Sequence, residues 1–238
     1  MVDSTPDSGF ATQLKAIRER IDLAARSAGR NPADIRLLPV TKTVESARLR
    51  EAVAAGCRRL GENKVQEAAR KHHELSDLDI EWAVIGHLQT NKARDVAAFA
   101  TEFQALDSLR LAEALDRRLQ AAGRGMDVLV QVNTSGEASK SGVAPGETLD
   151  LLRALRPFSS LRVNGLMTLA ARSEDEESVR RCFRLLRELR DRGRDESLVG
   201  DGELSMGMSG DFEAAVEEGA TCVRIGTALF GVRALPTK

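Results

Sequence analysis

Apolar residues recur every three or four positions at Phe10, Leu14, Ile17, Ile21 and Ala24, and Gly29 follows as a stop. That spacing predicts an amphipathic helix at the start of the chain. Beyond it, short β-branched or apolar runs alternate with helical stretches. The runs are Ile35–Lys42, Arg59–Glu62, Trp82–His87, Glu102–Leu106, Met126–Asn133, Leu161–Thr168, Leu204–Ser209 and Cys222–Gly226. Helical spacing falls between them, near 45–55, 64–74, 90–98, 109–121, 146–155, 175–192 and 211–218. The stretch near 175–192 has the clearest stripe, Val179, Cys182, Leu186 and Leu189. Ser173 with Glu176 predicts a capping box at its start, and Gly193 predicts its stop.

Strict strand–helix alternation predicts parallel strands joined by crossovers. Eight such units favour closure into a single (β/α)8 TIM-type barrel with an extra N-terminal helix. The second and fourth strands are short and weakly patterned, which keeps a doubly wound sheet as the alternative. No stretch reads as an interdomain linker. Residues 1–9 are polar and are expected to form a disordered lead-in, with 10–238 as one domain.

Composition narrows the function classes. The 35 Lys plus Arg nearly balance the 36 Asp plus Glu, whereas a general nucleic-acid grip needs a basic excess. No apolar run approaches the ~18 residues of a membrane span, and the first residues are too polar for a signal peptide. Three cysteines, Cys57, Cys182 and Cys222, lack metal-ligand spacing and fit a reducing cytoplasm.

A barrel of this kind carries its site at the C-terminal strand ends. Lys42 ends the first strand, and period-two alternation puts it on the face of Leu38 and Val40. It is either a solvated lysine or an amine that condenses with a carbonyl. The second role needs the unprotonated form, against an ordinary pKa of about 10.4; desolvation or a nearby cation favours it. Loops after the seventh and eighth strands are common phosphate sites in barrels. Ser209 with Gly210, and Gly226 with Thr227, offer hydroxyls and amides there; alternatively Ser209 is an N-cap and Gly226 a turn residue. Arg224 lies within an apolar strand on the face of Cys222 and Gly226, so its guanidinium must meet an internal carboxylate or a ligand. Asn63 and His87 follow the second and third strands. Lys140, in the 133–142 loop, reads as a solvated loop lysine or a second anion contact.

Taken together, Leu38-Pro39-Val40-Thr41-Lys42-Thr43, Gly61-Glu62-Asn63-Lys64, Ile85-Gly86-His87-Leu88-Gln89-Thr90-Asn91-Lys92, Gly165-Leu166-Met167-Thr168, Leu204-Ser205-Met206-Gly207-Met208-Ser209 and Val223-Arg224-Ile225-Gly226-Thr227 resemble the pyridoxal phosphate homeostasis protein family. The resemblance runs from about Leu14 to Gly231. It implies a barrel similar to the N-terminal domain of alanine racemase, without that enzyme's second domain. It implies pyridoxal 5′-phosphate (PLP) as a Schiff base on Lys42. It puts the phosphate against Ser209, Gly210, Gly226 and Thr227, and Arg224 towards the pyridine nitrogen. Asn63, His87 and Met167 are carried over as pocket lining. One departure is visible: Gly210 stands where the family pattern has an acidic residue, and only the backbone amide survives there.

A cation beside the pyridine nitrogen disfavours its proton and weakens carbanion chemistry. Racemisation needs an acid/base on each face of the substrate; the resemblance to alanine racemase implies a lysine and a tyrosine for these roles, and the chain contains no tyrosine, which leaves His87 or Cys57 as the substitutes. The expectation is a cytoplasmic, monomeric PLP-binding protein that holds and delivers the cofactor, with PLP-dependent apoenzymes as candidate recipients and little or no catalysis. A PLP-dependent amino-acid racemase is the alternative. Fold logic alone would also allow a class I aldolase acting on a phosphosugar.

Overall fold

The computed structural model describes residues 9–231. Residues 1–8 of the expected lead-in lie outside the described residues, while Gly9 precedes helix α1 (Phe10–Ser27) directly. Every apolar position read from the opening stripe is buried in α1, and Gly29 follows it with φ 66.

Eight parallel strands follow: β1 (Arg36–Pro39), β2 (Arg59–Glu62), β3 (Glu81–Val84), β4 (Glu102–Leu106), β5 (Met126–Gln131), β6 (Leu161–Met167), β7 (Glu203–Ser205) and β8 (Cys222–Ile225). Neighbours in sequence are neighbours in the sheet, and β1 pairs with β8. The ring closes between β1 and β2 through a bridge from Val40 to Gly61 and a 2.9 Å bond from the Thr41 amide to the Gly61 carbonyl. This is the expected barrel, and the doubly wound alternative falls. Helices α2 (Ser46–Ala54), α3 (Val65–Glu74), α4 (Ala93–Phe99), α5 (Leu109–Ala121), α6 (Thr148–Leu155), α7 (Glu176–Asp195) and α8 (Phe212–Glu217) occupy the connections, and α9 (Thr227–Phe230) follows β8 as the last helix among the described residues. Among the described residues no helix is long and apolar enough to cross a membrane.

Three expectations need correction. Helix α7 is capped by Asp175, whose side chain accepts from the Glu177 amide at 3.2 Å; Ser173 accepts instead from the Asp175 amide. Gly193 does not stop α7. It lies buried inside the last turns, where an added Cβ would meet Leu152 and Val199 at 3.4–3.6 Å. Several strands also end earlier than their apolar runs. Val132 and Met206 lie just past β5 and β7 yet stay buried, and their amides still donate to the Met167 and Cys222 carbonyls. The 3-10 turn Pro32–Asp34 and α9 are present without a matching periodic pattern in the sequence.

A polar chain crosses the barrel. Arg36 grips Glu102 with two 3.0 Å bonds and also pairs with Glu203, and Arg59 reaches Glu102 at 2.7 Å. Gln104 donates to Glu102. Ser205 donates to Gln104 at 2.7 Å, and Arg224 donates to Ser205 at 2.8 Å. Strands β4 and β7 are not sheet neighbours, so the Gln104–Ser205 bond spans the lumen.

Cys57, Cys182 and Cys222 are free and buried. Burial raises the Cys57 thiol, and burial pushes Cys222 up to about 11. A thiolate-seeking reagent at pH 8 is therefore expected to label the native protein slowly, and to count three thiols only after denaturation. Fast labelling of Cys222 in the native state would contradict this burial.

Candidate functional site

The C-terminal strand ends surround a cavity of about 660 Å³, larger than grooves of about 410 Å³ on the helical exterior. Lys42 lies in the turn just past β1 and is exposed towards this cavity, beside Val40. The alternation that placed Leu38 inside the barrel thus carries on to Val40 and Lys42. Asn63 follows β2 and lines the cavity. Gly86 follows β3 with its backbone pressed on Asn63: an added Cβ would sit 2.2 Å from the Asn63 carbonyl oxygen. His87 is next, 55% exposed, with Nδ1 3.5 Å from an Asp107 carboxylate oxygen.

The opposite wall comes from the last two units. The chain leaves β7 through a turn in which the Asp211 carboxylate accepts the Met208 amide at 2.6 Å. Burial pushes the Asp211 carboxyl above its ordinary range, against the pull of the Met208 amide and Arg224. Ser209 and Gly210 sit on this turn and face the cavity. The Ser209 hydroxyl accepts the Ala228 amide at 3.3 Å, which brings the turn against Gly226 and Thr227 at the start of α9. The two loops picked out as phosphate contacts thus form one surface.

Arg224 is 3% exposed and borders the cavity. Its guanidinium donates to the Ser205 hydroxyl and to the Thr168 carbonyl, both at 2.8 Å. Neither acceptor is charged, so the internal carboxylate considered from sequence does not bond it. Burial holds this guanidinium below its ordinary value, with Asp211 among the groups opposing that.

Of the nine residues expected at the site, the structure brings eight around one cavity. Met167 is the exception. It is fully buried at the end of β6 and packs into the main apolar core, away from the lining. Lys140 is not a solvated loop lysine: its ammonium donates to Glu137 at 2.8 Å and to the Ala170 carbonyl at 2.6 Å, and both residues line the cavity with it. Sequence reasoning missed Gln131, which holds the same loop by donating to the Ser141 carbonyl at 2.9 Å. Its signal was a polar residue in an otherwise apolar strand end.

The donor set has a definite chemistry. A primary amine stands on one wall, a hydroxyl with backbone amides on another, and a buried cation on the floor. These suit an anionic, phosphate-bearing compound with a carbonyl carbon.

The chain matches the alanine racemase N-terminal domain family over residues 12–234. It is 45% identical to the pyridoxal phosphate homeostasis protein of Pseudomonas aeruginosa, covering 95% of this chain and 96% of that one. The chain belongs to the pyridoxal phosphate homeostasis protein family. Among solved structures, PipY of Synechococcus elongatus with PLP bound superposes with a TM-score of 0.81 at 34% identity, covering 93% of this chain and all of that one. An alanine racemase from Streptomyces lavendulae matches at TM-score 0.72 and 18% identity, covering 94% of this chain and 58% of the enzyme. At that identity the likeness is one of fold alone. Membership in the homeostasis protein family agrees with the six segments read from the sequence.

Proposed function

We propose that this homeostasis family member binds PLP on Lys42 and serves as an intracellular, cytoplasmic holder and donor of the cofactor, acting as a monomer. The observation that carries the reading is Arg224: a buried cation whose hydrogen-bond acceptors among the described residues are neutral, bordering the cavity that Lys42 also borders. A buried guanidinium without a charged hydrogen-bond partner is costly, and a ligand ring nitrogen facing it would supply a further acceptor. PipY with PLP bound, a relative of like fold and 34% identity, supports the same ligand.

Bound there, PLP supplies an aldehyde that a primary amine can attack and a ring that withdraws electrons. Lys42 would hold the cofactor through its primary amine, condensing with the aldehyde with loss of one water, and hydrolysis would return the cofactor for a recipient apoenzyme. Ser209, Gly210, Gly226 and Thr227 would hold the phosphate through hydroxyls and amides, and Asn63 and His87 would line the space beside it. Arg224 presents a cation where a carboxylate would be needed to hold a proton on the ring nitrogen, so the pocket favours retention over carbanion turnover.

The purified protein is expected to be yellow, and borohydride is expected to fix PLP to the Lys42 peptide in mass spectra. Lys42→Ala should remove the fixed adduct entirely while leaving the fold intact, since Lys42 is exposed. An equal yield of adduct in Lys42→Ala would overturn the assignment. Conversion of single L-amino acids to their D-forms, lost in Lys42→Ala, would replace the holder by a racemase.

A further inference from the structure

Beneath the turn that carries Lys42 lies a buried ionic cluster that the binding site itself does not use. Lys71 of α3 and Glu62 at the end of β2 are both fully buried and form an ion pair at 2.5 Å. The Lys71 ammonium has three N–H bonds to give. One goes to Glu62, one to the Thr41 carbonyl at 2.6 Å, and one to Glu67 at 2.8 Å. The Thr41 hydroxyl is 2.6 Å from the same Glu62 oxygen. The Thr43 amide donates to the same Glu67 oxygen at 2.7 Å. Both residues flanking Lys42 are therefore tied to one ammonium.

Two features suggest that this cluster does more than fill space. A buried ion pair is often no more stabilising than apolar side chains of similar volume, and here one Glu62 oxygen, Oε2, is buried with no hydrogen-bond donor among the described residues. The turn it holds is itself unfavourable. Thr43 has φ 64, a left-handed conformation that a β-branched residue rarely adopts. Such backbone persists only where its surroundings impose it, and it concentrates at functional sites. Burial raises the Glu62 carboxyl, against the pull of Lys71 and Thr41.

We propose that Lys71, Glu62 and Glu67 are positioning residues for Lys42: the buried ammonium imposes the Thr41–Thr43 turn from which the Lys42 amine borders the cavity. The proposal rests on Lys42 being the reactive amine, as argued above. Without the clamp, Thr43 relaxes to negative φ and the amine is displaced from the carbonyl it must attack.

The test uses the full chain freed of PLP, with Glu67→Leu, Glu67→Gln and the paired Lys71→Met/Glu62→Leu, which leaves no charge stranded. Glu67 is partly exposed, so its variants fold even if the pair does not. Attachment of PLP is followed by visible absorbance and borohydride fixing. Affinity for pyridoxine 5′-phosphate, which has no aldehyde, reports the rest of the pocket. Amide exchange at Thr43 and Val44 reports the turn without any ligand. Expected are roughly 10- to 100-fold slower attachment in the paired variant and in Glu67→Leu, with analogue affinity within about threefold and faster exchange at Thr43. Glu67→Gln, which keeps an acceptor, should recover most of the rate lost in Glu67→Leu. Wild-type attachment rates and unchanged Thr43 exchange in Glu67→Leu would overturn the proposal. Equal losses of attachment and analogue affinity would also overturn it, as general damage to the pocket. Failure of the wild-type chain to take PLP on Lys42 would sink the functional reading, and is seen before any variant is made.

Discussion

Glu102→Gln is expected to lower the unfolding free energy by about 3 kcal/mol at pH 7, the low end for breaking a buried charge pair. Glu102 is 2% exposed and accepts from Arg36, Arg59 and Gln104. A glutamine there turns an N–H₂ group towards at least one arginine donor and removes the charge that both arginines share. The loss stays moderate because Arg36 keeps Glu203 and Arg59 keeps Glu81. The pH dependence has a definite sign. Burial alone would raise the Glu102 carboxyl, but Arg36, Gln104 and Arg59 outweigh it and hold it below the ordinary range. A depressed carboxyl stabilises the fold fully above the unfolded value of about 4.3, and the benefit fades as pH falls through the folded value. Urea unfolding should therefore show wild type and variant far apart at pH 7 and converging below about pH 4. A constant gap across that range would rule out the charge as its cause.

Gly165→Ala should do more damage still. A Cβ at that position would lie 2.0 Å from the Glu203 carbonyl oxygen and 2.6 Å from its nitrogen. Those atoms are the backbone of β7, the register partner of Gly165, and not the tip of a side chain that could swing away. Accommodation means separating β6 from β7, which would loosen the Thr168 amide from the Ser205 carbonyl and Glu203 from Arg36. The expected cost exceeds about 3 kcal/mol, above the usual range for overpacking, with loss of soluble, cooperatively melting protein. Gly146→Ala, with nothing within 4 Å, serves as the control and should change stability by less than about 0.5 kcal/mol. A cooperative melt for Gly165→Ala near that of wild type would show that the strands part more easily than their spacing implies.

The Gly165 contact also explains why a glycine sits in the middle of the sixth apolar run, which periodicity by itself could not. What periodicity did make legible was every strand and nearly every helix, because most sheet residues are buried by the helix layer outside or the lumen inside, with exceptions such as Glu81 and Arg162 at the strand starts. Strand ends were overestimated where residues such as Met206 and Val132 remain buried and hydrogen-bonded just past the regular strands. At the site, Lys42 and Arg224 were legible because Arg224 is a charged residue on an inward-facing strand position and Lys42 continues the inward alternation of Leu38 and Val40 into the turn past β1. Met167 was misassigned because it shares a motif with Thr168, whose carbonyl does meet Arg224, while its own side chain turns to the core. The cluster under Lys42 escaped notice because a lysine on a helix is ordinarily solvated. The available signal was its place in the row Val65, Ala68, Lys71, Leu75, where the helix face calls for an apolar residue.

The ring has a temporal consequence. Strand β1 bonds along its length to β8, and α1 packs against the last helices, with the Phe10 and Phe230 rings 5.0 Å apart and Arg20 bound to Glu213. During synthesis at about 5–20 residues per second, roughly 10–40 s separate the making of these partners. For that interval the opening helix and strand emerge from the ribosome with their apolar faces unmatched. The nascent chain is thus exposed to aggregation until β8 and α9 have emerged, and slower elongation should lengthen that exposure.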